Sequence, residues 1–335
     1  MIIRTNAFAR AGLVGNPSDG YFGKTISVIV RNFSANVALR ESTELEVCCD
    51  EAYKYGSIDD LVGELRLNGY YGATRLMKAA IKRFYEYCRD NGIELERKNF
   101  SLNYSTTIPR RVGLAGSSAI VTATLRALMQ FYDVSIPRAI QPSLILSAER
   151  DELGICAGYQ DRVIQTYEGM VYMDFDREKM EARGYGDYEP LDASLLPPLF
   201  LAYDQAMNEG SEVHHQPVKS RFDRGDRDVA EVMTSIANLA ELARDALLSG
   251  RKDELGPLMS ANFELRKSLF SLSARNIEMI EIAREAGAYA KFAGSGGAAI
   301  GTYPDEEVFQ RLAQAYRQAG FTIIKPVIDV NVSVV

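Results

Sequence analysis

Hydrophobic positions recur at two different spacings along the chain, and the changes of spacing mark out its elements. The first run, from Ile2 to about Val14, reads as a strand. After the polar turn GNPSDGYFGK, a second extended run, TISVIVRNFSANVAL, sets Ile26, Val28 and Val30 on alternate positions, the period of a sheet with one buried face. The spacing lengthens in YYGATRLMKAAIKRFYEYCRDNG, where Leu76, Ala80, Phe84 and Tyr87 fall on one helical stripe and Asn91-Gly92 supplies the stop. FSLNYSTTIPR then predicts a strand, and SSAIVTATLRALMQFYDV predicts a helix that begins on its serines. A helix over IQPSLILSAERDELG, a loop over ICAGYQD and a strand over GMVYMDF come next.

The segment DREKMEARGYGDYEPLDASLLPP is charged, then rich in proline and glycine, and reads as a connection to a second domain. It divides the chain into residues 1–190 and 191–335. Beyond it, LFLAYD is a short strand, three helical patterns fill about Asp226 to Gly287, and AYAKFAGSGGAAIGTY sets a glycine-rich turn between two apolar runs. A final helix and strand end near FTIIKPVI. Strands mixed with helices in blocks predict an α+β fold, without internal repeats.

Composition narrows the class. The chain has 335 residues, 47% of them hydrophobic and 25% charged, as expected of a globular protein with a substantial core. A formal net charge of -7 argues against a nucleic-acid partner, which calls for a basic face. The N-terminus has no apolar core of signal-peptide length, and no apolar run reaches the roughly 18 residues of a membrane span, so a cytoplasmic protein without membrane contact is expected. Cys48, Cys49, Cys88 and Cys156 lack the spacing of zinc or redox sites and read as reduced structural thiols.

The candidate chemistry begins at VGLAGSSA, Val112 to Ala119, which is too poor in side chains to be ordinary loop. Glycines there let the backbone turn sharply and approach an anion, and the start of the following helix offers free N–H groups and a positive dipole. The stretch lacks the Walker spacing, and plain helix capping is the competing use. Downstream, Glu149 near a helix end and Asp161 in the loop after it add two carboxylates. Phosphoryl transfer needs such groups: a carboxylate or hydroxyl on Mg²⁺, a residue to orient the attacking hydroxyl, and a cation against developing charge.

Three stretches, AFARAGLVGNPSDG, IPRRVGLAGSSA and KFAGSGGAA, resemble in order and spread the three motifs of the GHMP kinases. Within that family, VGNPSDGYFGKTIS, AGYQDRVIQTYEGMVYMDF and YEPLDASLLPPLFLAY are most similar to the plant-type glucuronokinase branch. The resemblance implies a two-domain GHMP kinase fold: an N-terminal ATP-binding domain like the second domain of ribosomal protein S5 and a ferredoxin-like C-terminal domain, with the site in the cleft. It implies ATP and Mg²⁺ as cofactors and a small-molecule sugar as partner. Gly113, Leu114, Ala115, Gly116, Ser117 and Ser118 would surround the ATP phosphates, with Ser118 and Glu149 on the metal. Asp161 matches the residue that orients or deprotonates the acceptor hydroxyl, and Arg10 the cation that neutralises it or the transferring group. Gly294, Ser295, Gly296 and Gly297 match the third motif, beside phosphates and substrate.

The first motif departs from the galactokinase pattern, because Asn16 and Pro17 replace a glutamate-histidine pair. Loss of an acidic residue suits a sugar that is itself an anion, since two nearby anions repel in a partly desolvated site. Asp19 is retained for sugar hydroxyls, and Lys24 and Arg162, the nearest cations in sequence, are the candidates for the substrate carboxylate. The expected activity is phosphorylation of D-glucuronate at its anomeric hydroxyl. The alternatives are a kinase of galactose or a heptose phosphate, and a catalytically silent sensor of ATP and sugar.

Overall fold

The computed structural model describes residues 1–49, 52–205 and 212–329, with backbone alone for 212–216. Its strands are β1 (Ile2–Val14), β2 (Lys24–Ser42), β3 (Leu45–Cys48), β4 (Ala52–Tyr55), β5 (Asn99–Thr106), β6 (Met170–Asp174), β7 (Asp187–Leu191), β8 (Leu199–Tyr203), β9 (Tyr289–Phe292), β10 (Ala298–Thr302) and β11 (Thr322–Ile324). Its helices are α1 (Ile58–Asn68), α2 (Arg75–Asp90), α3 (Gly116–Tyr132), α4 (Gln141–Arg150), α5 (Gln160–Tyr167), α6 (Arg177–Arg183), α7 (Glu212–Asp223), α8 (Arg227–Leu248), α9 (Leu255–Leu269), α10 (Ala274–Glu285) and α11 (Glu306–Gln318). None of the described helices is long and apolar enough to cross a membrane.

Packing groups the chain into two compact units that interleave in sequence. One comprises Met1–Ala9, Phe33–Ile108 and Gly116–Thr166, the other Arg10–Asn32, Pro109–Ala115 and Tyr167–Val335. Strands β1 and β2 each contribute residues to both.

In the first unit the strand order is β4-β3-β5-β2, and residues 35–42 of β2 run antiparallel to residues 99–106 of β5. The rings of Phe100, Phe131 and Tyr132 pack edge to face, with Phe100 and Phe131 centroids 5.5 Å apart, the geometry that ring quadrupoles favour. Helix α2 is amphipathic as predicted, but its buried stripe is Met77, Ile81, Phe84 and Cys88, while Leu76 and Tyr87 are half-buried. Lys78 is buried too, its ammonium 3.6 Å from the centroid of the Tyr53 ring.

In the second unit, residues 24–28 of β2 pair with β6, and β6 pairs with β7. The stretch expected to be a bare connection therefore folds in part: α6 starts on an Asp176 cap, ends on left-handed Gly184, and delivers β7 to the sheet edge. The four-stranded sheet of this unit has the order β11-β8-β10-β9. Counted from β8, that is fourth, first, third, second, with helices after the first and third strands, the ferredoxin-like arrangement that the resemblance implied. Its core holds Phe200, Phe263, Phe292 and Tyr316, and the fully buried Tyr316 hydroxyl donates to the Met279 carbonyl at 2.7 Å.

One buried amide ties this core to the N-terminal turn. Asn262 on α9 is inaccessible; its Oδ1 accepts the Gly15 N–H at 2.7 Å, and its Nδ2 donates to the Asn16 carbonyl at 3.1 Å. Asn262→Ala leaves both backbone groups without partners in the interior. The expected loss is roughly 2–4 kcal/mol, read by urea unfolding, and a loss below about 0.5 kcal/mol would contradict the assigned contacts.

Candidate active site

In the second unit, the glycine loop earns its lack of bulk from its own chain. Gly113 has φ +69°, and a Cβ there would lie 2.7 Å from the Gly296 carbonyl oxygen and 3.0 Å from the Ser295 nitrogen. A Cβ on Gly294 would in turn collide with the Gly113 carbonyl and the Arg10 guanidinium. The second and third motifs thus meet backbone to backbone. Arg10, 4% exposed, spans them: its Nη1 donates to the carbonyls of Gly113 at 2.7 Å and Ala293 at 2.9 Å.

Other polar groups hold the third motif from behind. Arg266 on α9 donates from Nη1 to the Gly294 carbonyl at 2.6 Å and from Nη2 to the Ser295 carbonyl at 2.9 Å. Asn276 accepts the Gly297 N–H at 2.9 Å. Lys291 is 1% exposed and donates to the carbonyls of Gly12 (2.9 Å) and Phe292 (2.8 Å) and to Oδ1 of Asn16. Sequence reasoning missed Arg266, Lys291, Asn262 and Asn276.

Backbone φ is positive at Arg111 (60°), Gly113 (69°) and Ala115 (61°), so every second residue of this loop is left-handed. Where left-handed residues alternate with right-handed ones, successive N–H groups turn toward one side as in an anion-binding nest. The left-handed Arg111 and Ala115 store strain of a kind that persists where a site requires it. The loop runs directly into α3 of the first unit, which begins at Gly116 with Ser117 exposed and Ser118 buried. Its first N–H groups have no partner within the helix.

The first unit gathers three of the predicted residues. Glu149 near the end of α4 and Arg162 on α5 are both buried, and Arg162 Nε donates to Glu149 Oε2 at 2.7 Å while Nη2 donates to the same oxygen. Arg162 Nη1 donates to the Gly158 carbonyl at 2.8 Å and lies 3.5 Å from Asp161 Oδ2. Burial raises the Glu149 carboxyl above the ordinary carboxylate range, and the charge and hydrogen bonds of Arg162 oppose that rise. Asp161 is not in a loop, as its sequence suggested, but in the first turn of α5, with its side chain 16% exposed. The sequence pattern showed no helix here, because the inward face of α5 is made of Gln160, Arg162 and Gln165 as well as apolar residues.

Among the described residues, no three His, Cys, Asp or Glu side chains gather as a metal cage. The oxygen donors of Ser118 and Glu149 are of the kind that Mg²⁺ takes, since it commonly uses one or two protein oxygens with the rest supplied by phosphates and water.

The first motif is arranged differently from what its sequence suggested. Asp19 is buried in the short 3₁₀ turn Ser18–Tyr21. Asn16 is buried as well, its side chain held by Lys291. Lys24 is paired with Glu241 on α8 at 2.8 Å. Both cations nominated for a substrate carboxylate, Lys24 and Arg162, thus already face a carboxylate of the chain.

These motifs on this fold define a phosphotransferase, and the chain belongs to the GHMP kinase family. Residues 75–169 match the GHMP kinases N terminal domain and residues 243–321 match the GHMP kinases C terminal domain. The chain is 45% identical over 330 residues to "Glucuronokinase 1" of Arabidopsis thaliana, covering 96% of this chain and 91% of that one. It is 46% identical over 336 residues to "Probable glucuronokinase 2" of the same plant, covering 97% and 91%. In fold it is similar to Lactococcus lactis galactokinase complexed with galactose, with a TM-score of 0.77 and 17% identity over 98% of this chain and 93% of that one.

The buried Glu149–Arg162 pair makes a pH-dependent prediction. Arg162→Met leaves the Glu149 charge in the interior uncompensated, an expected cost of about 3–5 kcal/mol near neutral pH. With its pKa raised in the folded state, Glu149 takes up a proton on acidification before the unfolded chain does, so the deficit shrinks toward the ordinary carboxylate range. Urea midpoints of variant and wild type at pH 8 and pH 5 check this. A deficit that grows on acidification would contradict it.

Proposed function

We propose that the protein transfers the γ-phosphoryl group of ATP to the anomeric hydroxyl of D-glucuronate, giving glucuronate 1-phosphate and ADP. The observation that carries this reading is the 45% identity to "Glucuronokinase 1" over 96% of the chain. The family matches at residues 75–169 and 243–321 fall on either side of residue 190, which supports an ATP-binding domain over 1–190 and a C-terminal domain over 191–335. We place the enzyme in the cytoplasm, a reading that the four cysteines, all free of disulfides, support.

Asp161, partly open at the first turn of α5, orients the acceptor hydroxyl and draws its proton. The loop from Gly113 to Ser118 cradles the phosphates of ATP with its N–H groups, which need no reorganisation as charge develops. Ser118 and Glu149 would hold Mg²⁺, which when bound neutralises phosphate charge. Arg162 opposes the rise that burial imposes on the Glu149 carboxyl. Arg10 fixes the second motif to the third, and the loop Gly294–Gly297 lies beside phosphates and sugar. Asp19 accepts hydrogen bonds from sugar hydroxyls.

Asp161→Asn preserves size but removes the charge that draws the proton. Turnover with ATP and glucuronate, followed by ADP release with ³¹P detection of the 1-phosphate, is expected to fall on the order of 10²-fold or more with sugar KM little changed. A variant with near wild-type kcat would remove Asp161 from the role. Wild-type protein that binds ATP and glucuronate without releasing ADP would replace the kinase reading with that of a sensor.

A further inference from the structure

Helix α5, which carries Asp161, has only eight residues, and a helix that short keeps neither its shape nor its place without tertiary contacts. The first unit supplies them at its C-terminal end, where the last carbonyls of a helix lack partners of their own. Arg126 on α3 donates from Nη2 to the Gln165 carbonyl at 2.6 Å. Arg138, in the connection after α3, donates to the Thr166 carbonyl from Nη2 at 3.3 Å and from Nε at 3.4 Å. These two charges also meet the negative end of the helix dipole. The Gln165 side chain is inaccessible, and its Nε2 donates to the Phe8 carbonyl of β1 at 3.0 Å.

Arg126 makes a second bond, from Nη1 to the Asn6 carbonyl of β1 at 2.7 Å, so one guanidinium on α3 joins β1 to α5. It lies eight residues beyond Ser118 on the same helix, the one that the glycine loop runs into. Gln165 lies four residues beyond Asp161, which puts the two side chains on one face of α5. Gln165 is the buried end of that face and Asp161, 16% exposed, is the open end. Resting on the function proposed above, we infer that Gln165 and Arg126 are positioning residues for Asp161: they lock α5 to α3 and β1, so that the carboxylate that orients the acceptor keeps a set place relative to the start of α3. Both act through Asp161 and not on substrate. The demand is strict, because moving a reacting group by about 1 Å can cost on the order of 10²-fold in rate. Arg162 has another task on this helix, since Glu149 and the Gly158 carbonyl take up its guanidinium.

The test is a double-mutant cycle in kcat, with KM for ATP and for glucuronate followed alongside. Gln165→Leu, close in size but without the amide, and Arg126→Met are each made in wild type and beside Asp161→Asn. Each single change is expected to lower kcat on the order of 10-fold with both KM values little altered. Beside Asp161→Asn the same change is expected to cost less than about 2-fold, because the group that it positions is already disabled. Arg126→Lys, which keeps a charged donor, is expected to recover part of the turnover. Equal losses of kcat in both backgrounds, losses confined to KM, or an unchanged kcat would overturn the inference while leaving the kinase reading intact. A wild type that releases no ADP, or an Asp161→Asn variant with near wild-type kcat, would remove the underlying reading and this inference with it. Should Gln165→Leu and Arg126→Met fail to fold, the cycle is run with Arg126→Lys, whose smaller loss is again expected to vanish beside Asp161→Asn and overturns the inference if it persists there.

Discussion

Two backbones approach each other so closely at Gly113 and Gly294 that neither position admits a side chain, and much of the second unit is organised to maintain that approach. Bringing carbonyl groups together in the interior is unfavourable unless donors meet them. The chain meets them with long cationic side chains: Arg10 for Gly113 and Ala293, Arg266 for Gly294 and Ser295, and Lys291 for Gly12 and Phe292. With these carbonyls engaged, and the Gly297 N–H held by Asn276, the two loops are fixed against each other. The residues that solve the packing problem are three buried cations, Arg10, Arg266 and Lys291.

The residues proposed for the chemistry occur in both units. The first holds Ser118, Glu149, Asp161 and Arg162; the second holds Arg10, Asp19 and the loops of the second and third motifs. Within the first unit, the Arg162 fork meets the buried Glu149 carboxyl and opposes the rise that burial imposes on it. Asp161, next to Arg162 in the chain, stays partly exposed, which the role proposed for it needs.

Much of this was legible in the sequence, and the parts that were not share a physical cause. Period-two and helical spacings located β1, β2 and α3, and the glycines marked both loops because few other residues allow so close a backbone approach. Burial of long polar side chains leaves no such trace. Lys78, Arg266 and Lys291 are all buried, and nothing in the sequence pattern singled them out. Asp161 seemed to lie in a loop because α5 turns polar residues inward. Nearness in sequence nominated Lys24 and Arg162 for a substrate carboxylate, whereas charge partners are set by packing over more than two hundred residues in the case of Lys24 and Glu241. The lysine in KFAGSGG was a signal within reach, since it lies next to a motif already singled out.

The central claim is that the loops of the second and third motifs act as one phosphate cradle. Amide hydrogen exchange across residues 110–115 and 294–297, with and without a non-hydrolysable ATP analogue, tests it most directly. The account predicts that exchange slows in both loops together when nucleotide is added, and that Arg266→Lys weakens the effect in both. Protection confined to 110–115, with 294–297 exchanging as in the free protein, would contradict it.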